Sequence, residues 1–309
     1  GTGRTTRGGR VLVSGVALDE SEVWRKSGMT GPAEPVAMLR AAGLAAESIG
    51  LETVRAPRDA LASAFSHLAD RGVHVAVCDA EQEEDLRRIA EAGARLRRPI
   101  IWVGSGGLAR HLPAALGLHP RPGGAPRFQL PSAPVLALVG SRSTVARDQA
   151  RLLGAERGVR TFVLETGDLL GGPARERWSR MGADVRRALA AGEDVVLVTA
   201  LASEVDLAIG PALAEATGRF AAEECADRIG GLIATGGDTA RAVLGALGAS
   251  GLHLLGEVEP GVPIGIADAP RPVPVVTKAG AFGTPRALQR SRAALRRLIE
   301  AGAATAGSW

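Results

Sequence analysis

Lysine is scarce in this chain: of 37 basic residues only Lys26 and Lys278 are lysine, and the rest are arginine. Lys278 stands in VTKAGAFG (276–283), where an apolar run gives way to a glycine-rich loop. A compact ammonium beside backbone N–H groups that glycines leave unshielded is a device for holding phosphate. A second stretch, GLIATGGDTARAVL (231–244), sets Gly236 and Gly237 between an apolar run and a helical pattern. The first N–H groups of a helix lack intrahelical partners and carry partial positive charge, and glycine lets an anion come close to them. Asp238 could there serve a magnesium-bound water or orient the transferring phosphoryl group, and Asp238 or Thr239 would cap the helix. The same stretch also reads as an ordinary capped strand–turn–helix junction. VGSRSTVARDQ (139–149) is a third junction, in which Ser141, Ser143 and Thr144 suit phosphate contacts or capping; taken alone, capping is the better reading. GSGGLA (104–109) is a similar turn but lacks the G-x-G-x-x-G spacing of dinucleotide sites.

These junctions require strands that end at them and helices that begin there. Strands are expected at VHVAVCD (73–79), PIIWVGS (99–105), PVLALVG (134–140), RTFVLET (160–166), EDVVLVTA (193–200), GLIAT (231–235), 262–267 and 273–277. Helical spacing fills 83–96, 107–116, 144–158, 174–192, 211–227 and the stretch from 285 onward. The alternation predicts an α/β fold of two domains, each a mainly parallel sheet flanked by helices. Proline and glycine crowd residues 117–134, so a first domain is expected over 1–120, a linker over 121–134 and a second domain over 135–309. Three glycine junctions at strand ends of one α/β domain point to a nucleotide lying across the carboxyl edge of its sheet.

Composition narrows the classes. The chain has 309 residues, 46% apolar and 23% charged, enough for two globular cores. A net charge of +4 is small for this length, and 3% aromatic residues with no tyrosine offer no stacking platform, so no nucleic-acid partner is expected. Arg286, Arg290, Arg292, Arg296 and Arg297 read as the solvated face of a terminal helix. Cys78 and Cys225 lie too far apart in sequence to suggest a disulfide framework, and the five histidines show no ligand spacing. No apolar stretch is long enough to span a membrane and no signal pattern is visible, so a cytoplasmic protein without a membrane partner is expected. The first residue is Gly1, which reads as a start inside a longer protein.

Taken together, these stretches resemble the four-carbon acid sugar kinase family. The resemblance runs in order through GRTTRGGRVLVSGVAL, VCDAEQEEDL, WVGSGGLARHL, LVGSRSTVARDQ, ATGGDTARAVL, LLGEVEPGVPIG and VTKAGAFG, covering nearly the whole chain. The combination of GGDTA, GEVEPGVP and TKAGAFG is quite specific. It implies an ATP-dependent kinase of small sugar acids such as threonate or erythronate, with the acid held by the first domain and ATP mainly by the second. By matching motif it implies ATP contacts at Ser141, Gly236, Gly237, Asp238, Thr239 and Gly280, with Gly256 and Glu257 near the nucleotide. The physical argument above adds Ser143, Lys278 and Gly283. Lys278 and the glycine N–H groups would hold the phosphates, and Asp238 would serve Mg²⁺ or orient the attacking hydroxyl. Arg4 could pair with the carboxylate of the acid, with Ser105 and Gly106 against the same ligand. The family opens with a strand and an Asp-Asp-x-Thr-Gly motif that helps form the acid site. That motif does not occur in this sequence. The first domain is therefore expected to be short by about a hundred residues, with the general base in that segment. Alternatives are a non-catalytic nucleotide-binding module, or a degenerate fragment of such a kinase. A dinucleotide-dependent oxidoreductase is disfavoured for want of its fingerprint. Self-association as a homo-oligomer is left open.

Overall fold

A computed structural model describes residues 3–21, 24, 31–118, 127–140, 143–172, 176–200 and 209–305. The chain forms two compact units, Gly1–Pro122 and Gly123–Trp309. Residues 119–126 of the proline- and glycine-rich stretch, which include the start of the expected linker, lie outside the described residues.

The first unit opens with an antiparallel ribbon of β1 (Arg4–Arg7), β2 (Arg10–Val13) and β3 (Val16–Ala17). The sequence reading had no strands here. The turn explains them: Gly8 and Gly9 sit at φ 59° and 75°, which suits a two-residue hairpin whose twist matches its strands. Then follow α1 (Pro35–Ala41), β4 (Ala46–Ile49), α2 (Leu51–Arg55), α3 (Arg58–Asp70), β5 (Val75–Cys78), α4 (Glu83–Ala94) and α5 (Gly106–Ala115). β4 and β5 pair in parallel, Ala46 opposite Val75 through Ile49 opposite Cys78. Ile49, Val54, Leu61, Leu68, Ile89 and Leu108 form the core beneath them.

The expected strand over 99–105 is not one in the structure. Ile101 and Val103 are 92% and 86% exposed, and among the described residues the segment joins no ladder. It is held instead by Trp102, whose ring packs so tightly on Gly93 of α4 that a Cβ there would collide with it. An apolar run reads as a strand from sequence, but a strand exists only where a neighbour accepts its backbone hydrogen bonds.

The second unit holds β6 (Arg127–Gln129), β7 (Val135–Val139), α6 (Thr144–Gly154), β8 (Val159–Glu165), α7 (Thr166–Gly171), α8 (Glu176–Ala190), β9 (Asp194–Ala200) and α9 (Gly210–Cys225). It continues through β10 (Gly231–Thr235), α10 (Gly237–Ala246), β11 (Gly251–Glu259), β12 (Val262–Asp268), β13 (Val273–Lys278), α11 (Ala287–Ala301) and β14 (Ala303–Thr305). Seven strands form one sheet in the order β11-β12-β13-β10-β7-β9-β8. The five from β13 to β8 are parallel; β12 and β11 add an antiparallel edge. β7 and β10 are buried along their whole length, as parallel strands covered on both faces must be. Successive side chains of β7 serve opposite cores. Leu136 and Leu138 pack with Trp178, Val185, Leu213 and Phe220 on one face. Val135, Ala137 and Val139 pack with Leu153, Leu288 and Leu295 on the other. β11 was missed in the sequence. It is a half-exposed edge strand, broken by glycine and carrying two register shifts, so no clean alternation marks it.

The two helices α9 and α10 meet through Gly218, where an added Cβ would lie 2.7 Å from the backbone carbon of Ala242. In a free helix Gly→Ala stabilises by about 1 kcal/mol. Here the sign reverses, because backbone cannot yield. Gly218→Ala is expected to lower the unfolding free energy by about 1–3 kcal/mol, read as a lower urea midpoint at unchanged slope. A stabilised variant would mean that the helices separate freely.

Both cysteines are free. Burial pushes each thiol up to about 12, so neither offers a thiolate near neutral pH. Among the described residues no helix is long and apolar enough to cross a membrane.

Candidate functional site

The carboxyl edge of the seven-stranded sheet gathers the three glycine junctions of the second unit. β10 lies between β7 and β13, and Thr235 is in register with Val139 on one side and Lys278 on the other. The chain leaves all three strands at the same level. After β7, helix α6 goes to the face built on Leu288 and Leu295, where Ala146, Ala150 and Leu153 are buried. After β10, helix α10 goes to the opposite face, where Ala240 and Val243 join Phe220 and Val185. Adjacent parallel strands whose helices part to opposite faces leave a crevice between them, and in open α/β sheets this is where ligands bind.

The junctions also lock one another. The N–H of Gly236 donates to the carbonyl of Lys278 at 2.9 Å, tying the end of β10 to the end of β13. Gly140 rests on Thr239 so closely that a Cβ at Gly140 would strike its hydroxyl, which ties the end of β7 to the first turn of α10. Gly236 takes φ 101°, a conformation open to glycine, and it is Gly236 that caps α10. The expected cap at Asp238 or Thr239 is thereby corrected: the glycine turn starts the helix earlier, and both residues lie inside its first turn. Asp238 is exposed there and Thr239 is buried. No side chain caps α10, so its first-turn N–H groups are left for another acceptor. The Thr235 hydroxyl is buried at this edge without a hydrogen-bond partner.

Lys278 ends β13 and is only 4% exposed. Its Nζ donates to the carbonyl of Gly280 at 3.1 Å, within its own loop. Burial pulls the ammonium down to about 8, and the charge of Glu259 partly offsets that fall. Gly283 closes the loop at φ 87°. Gly256 lies in β11, half-buried, beside exposed Glu257, whose carboxylate accepts from the N–H of Gly261 at 3.4 Å. Ser143 precedes α6 as its N-cap residue without a capping side-chain bond, and Ser141 lies outside the described residues.

The sequence reading missed the residues that hold the Lys278 loop. Gln149 of α6 is buried, and its amide donates to the carbonyls of Phe282, Gly283 and Thr284 at 3.2, 3.4 and 2.8 Å. Glu259, the last residue of β11, accepts from the Thr284 N–H at 2.6 Å, from its hydroxyl at 3.0 Å and from Arg290 at 3.1 Å. Sequence offered one faint signal: a second acid in GEVEPG, just before a Pro-Gly turn.

In the first unit, Arg4 is exposed at the start of β1, Ser105 is the N-cap residue of α5 and Gly106 its first residue. The nearby glycine turn is already occupied. Buried Asp79 accepts from the N–H groups of Gly8 and Gly9 at 2.6 and 3.0 Å.

A phosphate chain suits the second-unit edge by its chemistry: a glycine turn, open helix N–H groups, an ammonium and an orphan hydroxyl lie at the carboxyl ends of adjacent strands. Among the described residues no group of three or more His, Cys, Asp or Glu side chains gathers to cage a metal. Mg²⁺ that rides on phosphates needs one or two carboxylates at most, and exposed Asp238 can supply one.

Residues 1–112 match the model of a sugar-binding N-terminal domain, and residues 136–288 that of a nucleotide-binding C-terminal domain. A D-threonate kinase of Cupriavidus necator is 42% identical over 293 residues, spanning 93% of this chain and 69% of the relative. A D-threonate kinase of Salmonella typhimurium is 31% identical, over 91% of this chain and 69% of its own length. A solved structure from Salmonella typhimurium LT2 shares the fold with a TM-score of 0.68 at 24% identity, covering 94% of this chain and 70% of that one.

Proposed function

The chain belongs to the four-carbon acid sugar kinase family, and from that premise we propose that it transfers the γ-phosphoryl group of ATP to a hydroxyl of a four-carbon sugar acid. The observation that carries the reading is the register of Val139, Thr235 and Lys278, which brings three glycine junctions to one switch-point crevice. In the transfer a bond forms between the acid's hydroxyl oxygen and the γ-phosphorus. The bond from that phosphorus to the β,γ-bridging oxygen breaks, ADP leaves with the electron pair, and the hydroxyl proton passes to water.

Such a reaction asks the protein mainly to position charge and neutralise it. The N–H groups of Gly237, Asp238 and Thr239, with those of Gly280, Ala281 and Gly283, would donate to the phosphate oxygens. Lys278 would turn from the Gly280 carbonyl to the phosphates. Asp238 would hold Mg²⁺ through water, and the ion would screen charge on the phosphate chain. Arg4, Ser105 and Gly106 of the first unit are proposed to receive the acid, with the guanidinium against its carboxylate.

The test is the purified chain with Mg·ATP and D-threonate, D-erythronate or no acid, followed by ADP release and by calorimetric titration with ATP and, as control, NAD. Selective ATP binding with acid-dependent ADP release is the expected result. ATP binding without transfer to either acid favours the second reading, a nucleotide-binding module without catalysis. Failure to bind ATP removes the nucleotide site.

A further inference from the structure

We propose that Glu259 and Gln149 are positioning residues of the nucleotide site, two clamps that hold the Lys278–Thr284 loop in its phosphate-binding shape before any ligand arrives. The inference rests on the nucleotide reading above and extends it to residues that touch no phosphate.

The loop has little of its own to fix it. It contains Ala279, Gly280, Ala281 and Gly283, residues without side chains able to tie it down. Its internal bonds are the Lys278 ammonium to the Gly280 carbonyl and the Phe282 N–H to the Ala279 carbonyl at 3.0 Å. A chain so rich in glycine loses much conformational freedom on ordering, so an isolated loop of this kind would not keep one shape. The order comes from two buried side chains on other elements. Gln149 reaches across from α6, and its two amide hydrogens are shared among three consecutive carbonyls. Glu259 reaches from the end of β11 and takes both donors of Thr284.

Two further observations show that the clamp is specific. Gly283 is positioned so that an added Cβ would sit 2.5 Å from Glu259 Oε1, so the carboxylate fills the space a side chain would need. Arg290 holds the same carboxylate from α11, fixing its orientation. Bonds in which one partner is ionised are stronger than neutral ones, and a nearby anion favours the charged form of a buried ammonium. Glu259 therefore acts twice: it holds the loop's far end at Thr284, and its charge supports the protonated state of Lys278.

Glu259→Ala removes both actions; Glu259→Gln removes the charge and one acceptor oxygen but keeps an acceptor for the Thr284 N–H. Hydrogen–deuterium exchange of the ligand-free protein reads the clamp directly. In Glu259→Ala the amides of residues 279–284 are expected to exchange at least tenfold faster, with the central strands β7 and β10 unchanged. ATP affinity should fall about tenfold while the KM for the sugar acid stays put. Glu259→Gln should keep slow exchange in the loop yet move the pH midpoint of ATP binding below that of the parent chain, an effect a purely structural residue would not produce. Unchanged exchange in Glu259→Ala overturns the clamp, and an unmoved midpoint in Glu259→Gln overturns the charge role. If the parent chain binds no ATP, the nucleotide reading falls with this role for Glu259, and the exchange result still decides whether the loop is clamped.

Discussion

Asp194→Ala is expected to lower the unfolding free energy of the second unit by about 3 kcal/mol, the range found when one partner of a buried ion pair is removed. Asp194 opens β9 and is 2% exposed. One oxygen accepts from the Val135 N–H at 2.6 Å, so the side chain joins the starts of β7 and β9. Both oxygens face α11, where Arg292 donates at 2.5 Å and Arg296 at 3.1 Å and through a second, shorter bond. The sequence placed both arginines on a solvated face; the structure corrects this, since each is tied to a buried acid. The loss is moderated because both arginines are partly exposed and Arg292 keeps Glu156 at 2.8 Å. A fall in urea midpoint at constant slope is the measurement. A loss below 1 kcal/mol would show that water replaces the carboxylate without cost.

Lys278→Met is expected to reduce ATP affinity about a hundredfold while leaving the fold intact, since one charge-assisted contact with phosphate contributes roughly 1.5–3 kcal/mol. The methylene stem keeps its packing, and among the described residues the bond lost in the free protein is that to the Gly280 carbonyl. The parent chain should show a matching pH dependence. With the ammonium pulled down to about 8, affinity for phosphate holds below that pH and declines as pH rises through it. Stability moves the other way. A lysine whose folded value lies below its unfolded 10.5 binds fewer protons folded than unfolded between those limits. The cost of its burial is thus full below about 8 and fades as pH climbs toward 10.5. Calorimetry from pH 6.5 to 9.5 on both proteins gives the answer. A flat profile for the parent, or unchanged affinity in the variant, takes Lys278 out of the site.

Much of the second unit could be read from sequence because its strands are buried on both faces. VLALV, VVLV and LIAT are continuous apolar runs, each ending at a turn, and burial leaves such runs little room for polar residues. The edge strand β11 could not be read that way, since one side of it faces solvent and glycine interrupts it. Nor could the antiparallel ribbon of the first unit, whose arginines and threonines carry little apolar pattern. The glycine junctions were visible one by one. Their convergence was not, because it depends on β10 inserting between β7 and β13, and strand order is a long-range property. Glu259 and Gln149 were hidden for the same reason: they lie 25 and 135 residues from Thr284, and only the fold brings them together.

The position of α11 has a consequence for the making of this protein. Helix α11 covers β10: a Cβ on Gly231 would meet Leu295 and Ile299 at 3.3 Å, and the helix also supplies Leu288 and Leu298 to the core beneath β7. Translation delivers the chain from its amino end. As a nascent polypeptide leaves the ribosome, β7 and β10 emerge well before β13 and α11. Until residues beyond 299 clear the exit tunnel, α6 gives that face of the central strands only part of its cover. The carboxyl edge of the sheet is thus completed only once α11 has emerged, and a ribosome stalled short of α11 would hold a chain whose central strands lack part of their cover.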